Sequence, residues 1–142
     1  MDIFFYSRKT EYGWLSNFHR ATVFIDGKVW PTTEHYYQAQ KTLDEEDREK
    51  IRFLPKPLDA KIEGGKVFIR ENWDGIREDV MLKALRAKFS QHSSLRNLLV
   101  GTGHAMLHED SPTDGYWGYT NGSGKDRLGY LLMQVRGELL GC

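Results

Sequence analysis

The spacing of apolar and polar positions predicts several helices and a few short strands. Apolar residues recur at helical intervals between residues 75 and 90, on a face made of Val80, Leu82, Leu85 and Phe89, with Met81 and Ala84 beside it. Further helices are predicted at 31–41, 44–54, 58–65, 94–100 and 128–140. Short apolar runs predict strands at 2–6, at 104–109 and on either side of Asp26-Gly27, a dipeptide typical of tight hairpins. These elements indicate an α+β fold: one mainly helical domain, residues 1–142, with a small antiparallel sheet.

The helix predicted at 31–41, with the sequence PTTEHYYQAQK, has very few aliphatic side chains. Its start is well defined, because Thr32 or Thr33 can accept hydrogen bonds from free backbone N–H groups. Apart from aromatic rings, only Ala39 and the nearby Leu43 are available to dock it. A helix docked by so little is weakly held if its polar side is merely solvated.

Glu34, Gln38 and Lys41 follow one another at i, i+4 and i+7, so they share one side of this helix, with Tyr37 at its border. One interpretation is a solvated polar surface. The other, which explains the composition better, is a side that lines a cleft where a carboxylate, an amide and an ammonium group converge. Burial in such a cleft shifts pKa values toward those that catalysis needs.

The polar, glycine-rich stretch 110–127 is the second unusual region. A long loop in a compact domain is usually functional or disordered, and its aromatic residues argue against disorder. Asp114 lies close to Trp117 in this loop, an arrangement that suits a carboxylate facing a sugar under a stacking ring. The alternative is a simple Asx turn at Asp114-Gly115.

Composition and charge exclude several classes of protein. Twenty basic and twenty acidic residues cancel, which argues against a strong duplex nucleic-acid binder but not against a small phosphate-bearing ligand. The single cysteine, Cys142, cannot form an internal disulfide, so a reducing, cytoplasmic setting is expected. The first residues do not resemble a signal peptide, and no apolar run is long enough for a membrane span.

Metal and cofactor chemistry find little support in the pattern. His104 and His108 would be spaced as zinc ligands if they lay on a helix, but no third ligand is placed for them. We therefore expect no metal and no cofactor. The basic residues Lys83, Arg86 and Lys88 are interpreted as the solvated side of the helix at 75–90, although Lys88, beside Phe89, is also a candidate for contact with phosphate.

Several blocks together resemble the YbiA-like, or NADAR, family over nearly the whole chain. They are PTTEHYYQAQK at 31–41, EDSPTDGYWG at 109–118, GKDRLGYLLMQVR at 124–136, SNF at 16–18 and NWD at 72–74. The resemblance implies the YbiA-like fold and the hydrolysis of N-glycosides. It implies two substrate classes: phosphoribosylamino-pyrimidine intermediates of riboflavin biosynthesis, or ADP-ribose attached to guanine bases of nucleic acid. A third reading is a binding module that senses ADP-ribose or a nucleotide without cleaving it.

Cleavage of a ribose C–N bond usually involves two carboxylates, and Glu34 and Asp114 are the candidate pair. The resemblance also makes Lys41 a candidate nucleophile, which would form a Schiff base with the ring-opened ribose. The predicted substrate-binding residues are Asn17, His35, Tyr37, Gln38, Lys88, Trp117, Gly118 and Arg136. For Arg136, pairing with an acid of the last helix is the alternative.

Two positions depart from the pattern of the family. The last block has Asp126 where the family usually has asparagine. After the short third helix the chain reads Gly64-Gly65-Lys66, where the family often has Gly-Arg. If that arginine holds a phosphate, Lys66 replaces it as a point charge with looser geometry.

Overall fold

The structure, a computed structural model, describes residues 1–6 and 11–141. Within them the strands are β1 (Asp2–Phe5), β2 (Val23–Ile25), β3 (Lys28–Trp30) and β4 (Met106–Glu109). The helices are α1 (Thr33–Ala39), α2 (Glu45–Arg52), α3 (Pro57–Gly64), α4 (Trp73–Gln91), α5 (Ser93–Gly101) and α6 (Arg127–Leu139). Each predicted element is present, and the predicted α+β fold class is confirmed.

The chain divides into two compact units. The terminal unit comprises Met1–His19 and His92–Cys142, and the central unit comprises Arg20–Gln91. The assignment of 1–142 to a single domain stays a prediction. Among the described residues, no helix is both long and apolar enough to cross a membrane.

The hairpin of the central unit turns at Asp26-Gly27, as predicted. Both residues have positive φ, 56° and 78°, which suits the tight turns whose twist matches that of paired strands. β2 and β3 pair antiparallel, with Val23 opposite Trp30. The inward side chains of the hairpin join a core with α1, α2, α3 and α4; its buried members are Val23, Ile25, Trp30, Tyr36, Ala39, Ile51, Ala60 and Ala84.

Helix α1 contacts α2, α3 and α4, and all seven of its residues are buried. Aromatic rings dock it, since Tyr36 packs edge-on against Trp30 with ring centres 5.3 Å apart and Tyr37 packs against Trp73 at 5.2 Å. The expectation that Leu43 helps to dock it is wrong, because Leu43 is 67% exposed. A helix enclosed on all sides can be held without an aliphatic stripe.

The buried side of α4 differs from the predicted face at three positions. Leu85 and Phe89 are fully buried as expected, but Val80 and Leu82 are only half-buried. Lys88 lies on the buried side with 1% of its surface exposed, so its placement on the solvated side was wrong. Lys83 and Arg86 are exposed, as predicted.

The terminal unit is built on a parallel pair of strands, which the sequence did not predict. β1 and β4 pair with Ile3 beside Leu107, and α6 packs on β4. Gly129 allows this packing, because a Cβ there would collide with the Leu107 carbonyl oxygen and lie 2.7 Å from Asp126 Oδ1. The loop at 110–126 connects β4 to α6.

Candidate active site

The first turn of α1 is fixed by Thr32 and His35. The Thr32 hydroxyl oxygen accepts a hydrogen bond from the His35 backbone N–H at 3.2 Å, and it lies 2.7 Å from His35 Nδ1. Because His35 Nε2 faces the Leu54 carbonyl oxygen at 2.9 Å, we assign the ring proton to Nε2 and the donor of the other bond to Thr32. Burial lowers the pKa of His35, which favours this neutral form. Both ring nitrogens of His35 are thus engaged within the fold, and contact of His35 with substrate stays a prediction.

Glu34 and Gln38, one helical turn apart on α1, form a buried pair. The Gln38 amide nitrogen Nε2 donates to Glu34 Oε2 at 2.7 Å, and the two residues are only 7% and 5% exposed. Glu34 lies in the first turn of α1, where the positive end of the helix dipole favours a carboxylate. The interpretation of this side as solvated surface is therefore wrong for these two residues.

Lys41 follows α1 instead of belonging to it. The helix ends at Ala39, and Gln40 is its C-cap. Lys41 is half-buried, and its carbonyl oxygen accepts a hydrogen bond from the Arg70 backbone N–H at 2.8 Å. This bond ties the segment after α3 to the end of α1. Convergence of the Lys41 ammonium with Glu34, and its catalytic role, stay predictions.

Lys88 is the most unusual charged side chain of the central unit. Its Nζ lies 5.1 Å from the centre of the Phe89 ring, and burial lowers the pKa of Lys88 to about 7. In a large fraction of the protein molecules, Lys88 is therefore a neutral amine at pH 7. Buried amines with such pKa values are typical of acid–base and nucleophilic sites. The predicted contact of Lys88 with phosphate stays a prediction, as does contact of the buried Tyr37 with substrate.

Lys66, the predicted substitute for an arginine, lies exposed after α3. Its Nζ is 3.2 Å from Glu63 Oε1. Exposed ion pairs of this kind contribute little to stability, so Lys66 can exchange Glu63 for another anion at small cost. Its contact with a phosphate stays a prediction.

In the terminal unit, Asp114 organises the loop that carries Trp117. Its Oδ1 accepts hydrogen bonds from the backbone N–H groups of Tyr116, at 3.0 Å, and Trp117, at 2.9 Å. This is the Asx-type turn that the sequence left as the alternative. Trp117 is 8% exposed, and its ring packs edge-on against Tyr116 at 4.9 Å. Asp114 thus has a structural task, and a catalytic task for its carboxylate stays a prediction.

Gly118 and Asn17 are both buried in the terminal unit. A Cβ at Gly118 would lie 2.7 Å from the carbonyl oxygen of Asp114 and 3.0 Å from that of Glu109, so only glycine fits there. Asn17 comes shortly after a 3-10 turn, Gly13–Leu15. Contact of these residues, and of Trp117, with substrate stays a prediction.

Arg136 has a well-defined structural role. It is 7% exposed, and its Nη1 donates to Thr102 Oγ1 at 2.9 Å and to the Ala105 carbonyl oxygen at 2.8 Å. These bonds hold the segment between α5 and β4 against α6. A role for Arg136 in phosphate binding stays a prediction, and it would have to use its other nitrogens.

Sequence reasoning missed a hydrogen-bonded chain of three ionisable groups in the terminal unit. His108 Nδ1 lies 2.6 Å from Asp126 Oδ2, and His108 Nε2 lies 3.2 Å from Asp2 Oδ1. Asp126 has φ 59°, and burial raises the pKa of its carboxyl group. The departure at Asp126 was visible in the sequence, but its partner lies 18 residues away.

The zinc arrangement considered for His104 and His108 requires a helix, and that requirement is not met, because His108 lies in β4. Within residues 1–6 and 11–141, no group of three or more His, Cys, Asp or Glu side chains could hold a metal ion.

Comparison with known proteins matches residues 4–140 to the NADAR domain family. The chain is 51% identical over 138 residues to the N-glycosidase YbiA of Escherichia coli, which covers 95% of this chain and 86% of that protein. It is 37% identical to a riboflavin biosynthesis protein of Vibrio vulnificus over 96% of this chain, but over only 38% of that longer protein. The NMR structure of E. coli YbiA superposes with a TM-score of 0.90 and 49% identity, covering 99% of this chain and 87% of that one. The resemblance seen in the sequence is confirmed, and the chain belongs to the NADAR domain family.

Proposed function

We propose that this chain is an N-glycosidase that hydrolyses the ribose C–N bond of phosphoribosylamino-pyrimidine intermediates of riboflavin biosynthesis. The activity removes reactive intermediates before they damage other molecules. Its support is the 51% identity to an N-glycosidase together with the likeness to a riboflavin biosynthesis protein. The observation that carries the proposal in this chain is the buried pair of Glu34 and Gln38 on α1. We further propose that the chain acts in the cytoplasm on a small-molecule substrate.

The reaction requires a group that stabilises or transfers charge at the anomeric carbon. Water adds to that carbon, the C–N bond breaks with its electron pair going to nitrogen, and the nitrogen gains a proton. The products are ribose 5-phosphate and the free aminopyrimidine. An ionised Glu34, oriented by Gln38 and by the N-terminus of α1, can stabilise the positive charge that develops on the sugar or activate the water.

A second route uses an amine as nucleophile. The Lys41 amine would attack the anomeric carbon, and the C–N bond to the aminopyrimidine would break as that nitrogen takes up the proton that the amine loses. The ring C–O bond would then open to give a Schiff base, which water hydrolyses to free the sugar and the lysine. Asp114 is the second carboxylate of the first route, whereas the second route depends on Lys41. The two routes differ in whether a covalent intermediate exists.

The test measures release of ribose 5-phosphate from a phosphoribosylamino-pyrimidine by the wild type and by Glu34→Gln, Lys41→Ala and Asp114→Asn. We expect Glu34→Gln to lose at least about a hundredfold in kcat, which is typical when one general acid–base group is removed. Glu46→Gln is the matched control, because Glu46 is an exposed carboxylate of α2. Wild-type rates in all three site variants, with intact folds, would contradict the assignment.

Substrate class is tested on the same protein. Hydrolysis of ADP-ribosylated guanosine, with no release from the pyrimidine intermediate, would replace the proposal by ADP-ribosyl hydrolysis on nucleic acid. Saturable binding of ADP-ribose by calorimetry, with no product from either substrate, would indicate a binding module. Borohydride reduction during turnover separates the two routes, because only a Schiff base is trapped as a covalent adduct.

A further inference from the structure

Gly64, the last residue of α3, leaves space that the Gln38 side chain fills. An added Cβ at Gly64 would collide with Gln38 Oε1, and it would lie 2.8 Å from Gln38 Cδ and 2.9 Å from Gln38 Cβ. The backbone at Gly64 is helical, so its φ does not require glycine. The requirement for glycine here is therefore steric, and the three atoms nearest to the added Cβ all belong to Gln38.

The Gln38 amide is held in a position that leaves one of its own atoms unsatisfied. Among the residues that the structure describes, no donor reaches Gln38 Oε1, although this atom is buried. A buried acceptor without a donor costs free energy. The amide oxygen and nitrogen cannot exchange places, because Oε1 would then face the Glu34 carboxylate where Nε2 now donates a hydrogen bond. The bond to Glu34 and the shape of the space at Gly64 together determine where this amide lies.

We propose that Gly64 and Gln38 are positioning residues that hold the Glu34 carboxylate in its reactive orientation, Gly64 by leaving room for the amide that binds Glu34. The inference rests on the proposed function only in assigning a catalytic task to Glu34. α3 contacts α1 directly, so the effect passes from the backbone of one helix to the carboxylate of the other through one side chain. A methyl group at Gly64 clashes with the Gln38 side chain from Cβ to Oε1, so the amide is displaced and Glu34 loses the hydrogen bond from Gln38 Nε2.

The experiment compares Gly64→Ala with Gln38→Ala, and uses Gly75→Ala as the control. Gly75 lies in α4, and a Cβ there meets nothing within 4 Å, so the control changes helix propensity without a collision. Two kinds of measurement are made: steady-state kinetics, which give kcat and KM on the phosphoribosylamino-pyrimidine, and the ¹H–¹⁵N NMR spectrum, which gives the side-chain amide signals of Gln38.

We expect Gly64→Ala to lower kcat about tenfold, to the level of Gln38→Ala, with KM changed less than about twofold. Its Gln38 amide signals should move to the positions of a solvated glutamine, while those of Gly75→Ala stay in place with wild-type kcat. Unchanged Gln38 signals in Gly64→Ala, or wild-type kcat in that variant beside a slow Gln38→Ala, would overturn the inference. If Glu34→Gln turns over at the wild-type rate, the proposed function of Glu34 fails, whereas the NMR comparison still decides whether Gly64 places the amide.

Discussion

The buried lysine of α4 makes a prediction about stability against pH. The unfolded chain keeps the Lys88 side chain protonated up to its ordinary pKa of 10.5, whereas the folded protein releases this proton near pH 7. Between these values the unfolded state binds more protons, so the free energy of unfolding rises as the pH rises. The slope is at most about 1.4 kcal/mol per pH unit, and the whole difference is about 5 kcal/mol.

Replacement by methionine should remove this slope. From pH 7.5 to pH 9 the free energy of unfolding of the wild type should rise by about 2 kcal/mol, while that of Lys88→Met should stay flat. The upper limit of the window avoids Tyr36, whose pKa is raised by burial, because a raised tyrosine pKa lowers stability at higher pH. Lys61→Met is the control, since Lys61 is an exposed lysine of α3.

The assay is urea unfolding followed by the fluorescence of the four tryptophans, at several pH values in this window. Lys61→Met should follow the slope of the wild type. A wild type whose stability is constant from pH 7.5 to 9, or a Lys88→Met variant that keeps the slope, would refute the reasoning. Either result would mean that Lys88 stays protonated in the folded protein.

Three further outcomes are expected. Arg136→Met should lower the free energy of unfolding by about 3 kcal/mol and Thr102→Val by about 1 kcal/mol, because the Ala105 carbonyl oxygen loses the hydrogen bond from Arg136 only in the first variant. If Arg136→Met instead raises KM and keeps wild-type stability, Arg136 is a phosphate ligand. In thermal unfolding, Asp114→Ala should lower the free energy of unfolding by about 1–2 kcal/mol, whereas Asp114→Asn should lower it little, because asparagine keeps the oxygen that accepts the two hydrogen bonds. Equal losses of stability in both variants would rule out the Asx turn as the main role of Asp114. Burial lowers the pKa of His35, so below about pH 6.5 the unfolded state takes up a proton more readily than the folded state, and the free energy of unfolding falls. His35→Gln should weaken this dependence on pH. An equal slope of the free energy of unfolding in urea between about pH 5 and 7, in the variant and the wild type, would contradict this prediction.

Local signals were enough to predict the elements of this fold. The hairpin followed from Asp26-Gly27, since both residues adopt the positive φ that tight turns require. The helix predicted at 44–54 does begin there, because the Asp44 side chain caps α2 by accepting a hydrogen bond from the Asp47 backbone N–H at 3.1 Å. Such features depend on residues a few positions apart, so a single sequence contains them.

Features that depend on distant residues were missed. The pairing of β1 with β4 joins strands about a hundred positions apart, and no local pattern encodes it. Lys88 was assigned to solvent because a lysine usually marks the exposed side of a helix, whereas here tertiary packing encloses it. The bond between Asp126 and His108 likewise appears only when α6 is placed against β4.

One arrangement within the candidate site followed from helical spacing, whereas the roles of its residues stay predictions. Glu34 and Gln38 were placed on one side of α1 by helical spacing alone, and the structure joins them by a hydrogen bond. Spacing could not show that Gln38 faces the carboxylate and α3, because that depends on the absence of a side chain at Gly64. Nor could it show that both ring nitrogens of His35 are engaged within the fold.

Two lysines of the central unit, Lys41 and Lys88, each meet one of the two requirements of Schiff-base chemistry. The reaction requires a neutral amine and a path for the sugar to reach it. Burial gives Lys88 a pKa of about 7 and hence the neutral amine, but with 1% of its surface exposed it offers no path. Lys41 is half-buried after the end of α1, so it is accessible while still partly shielded from water. Borohydride trapping should therefore label Lys41 and leave Lys88 unmodified; an adduct on Lys88 would mean that this part of α4 opens during turnover.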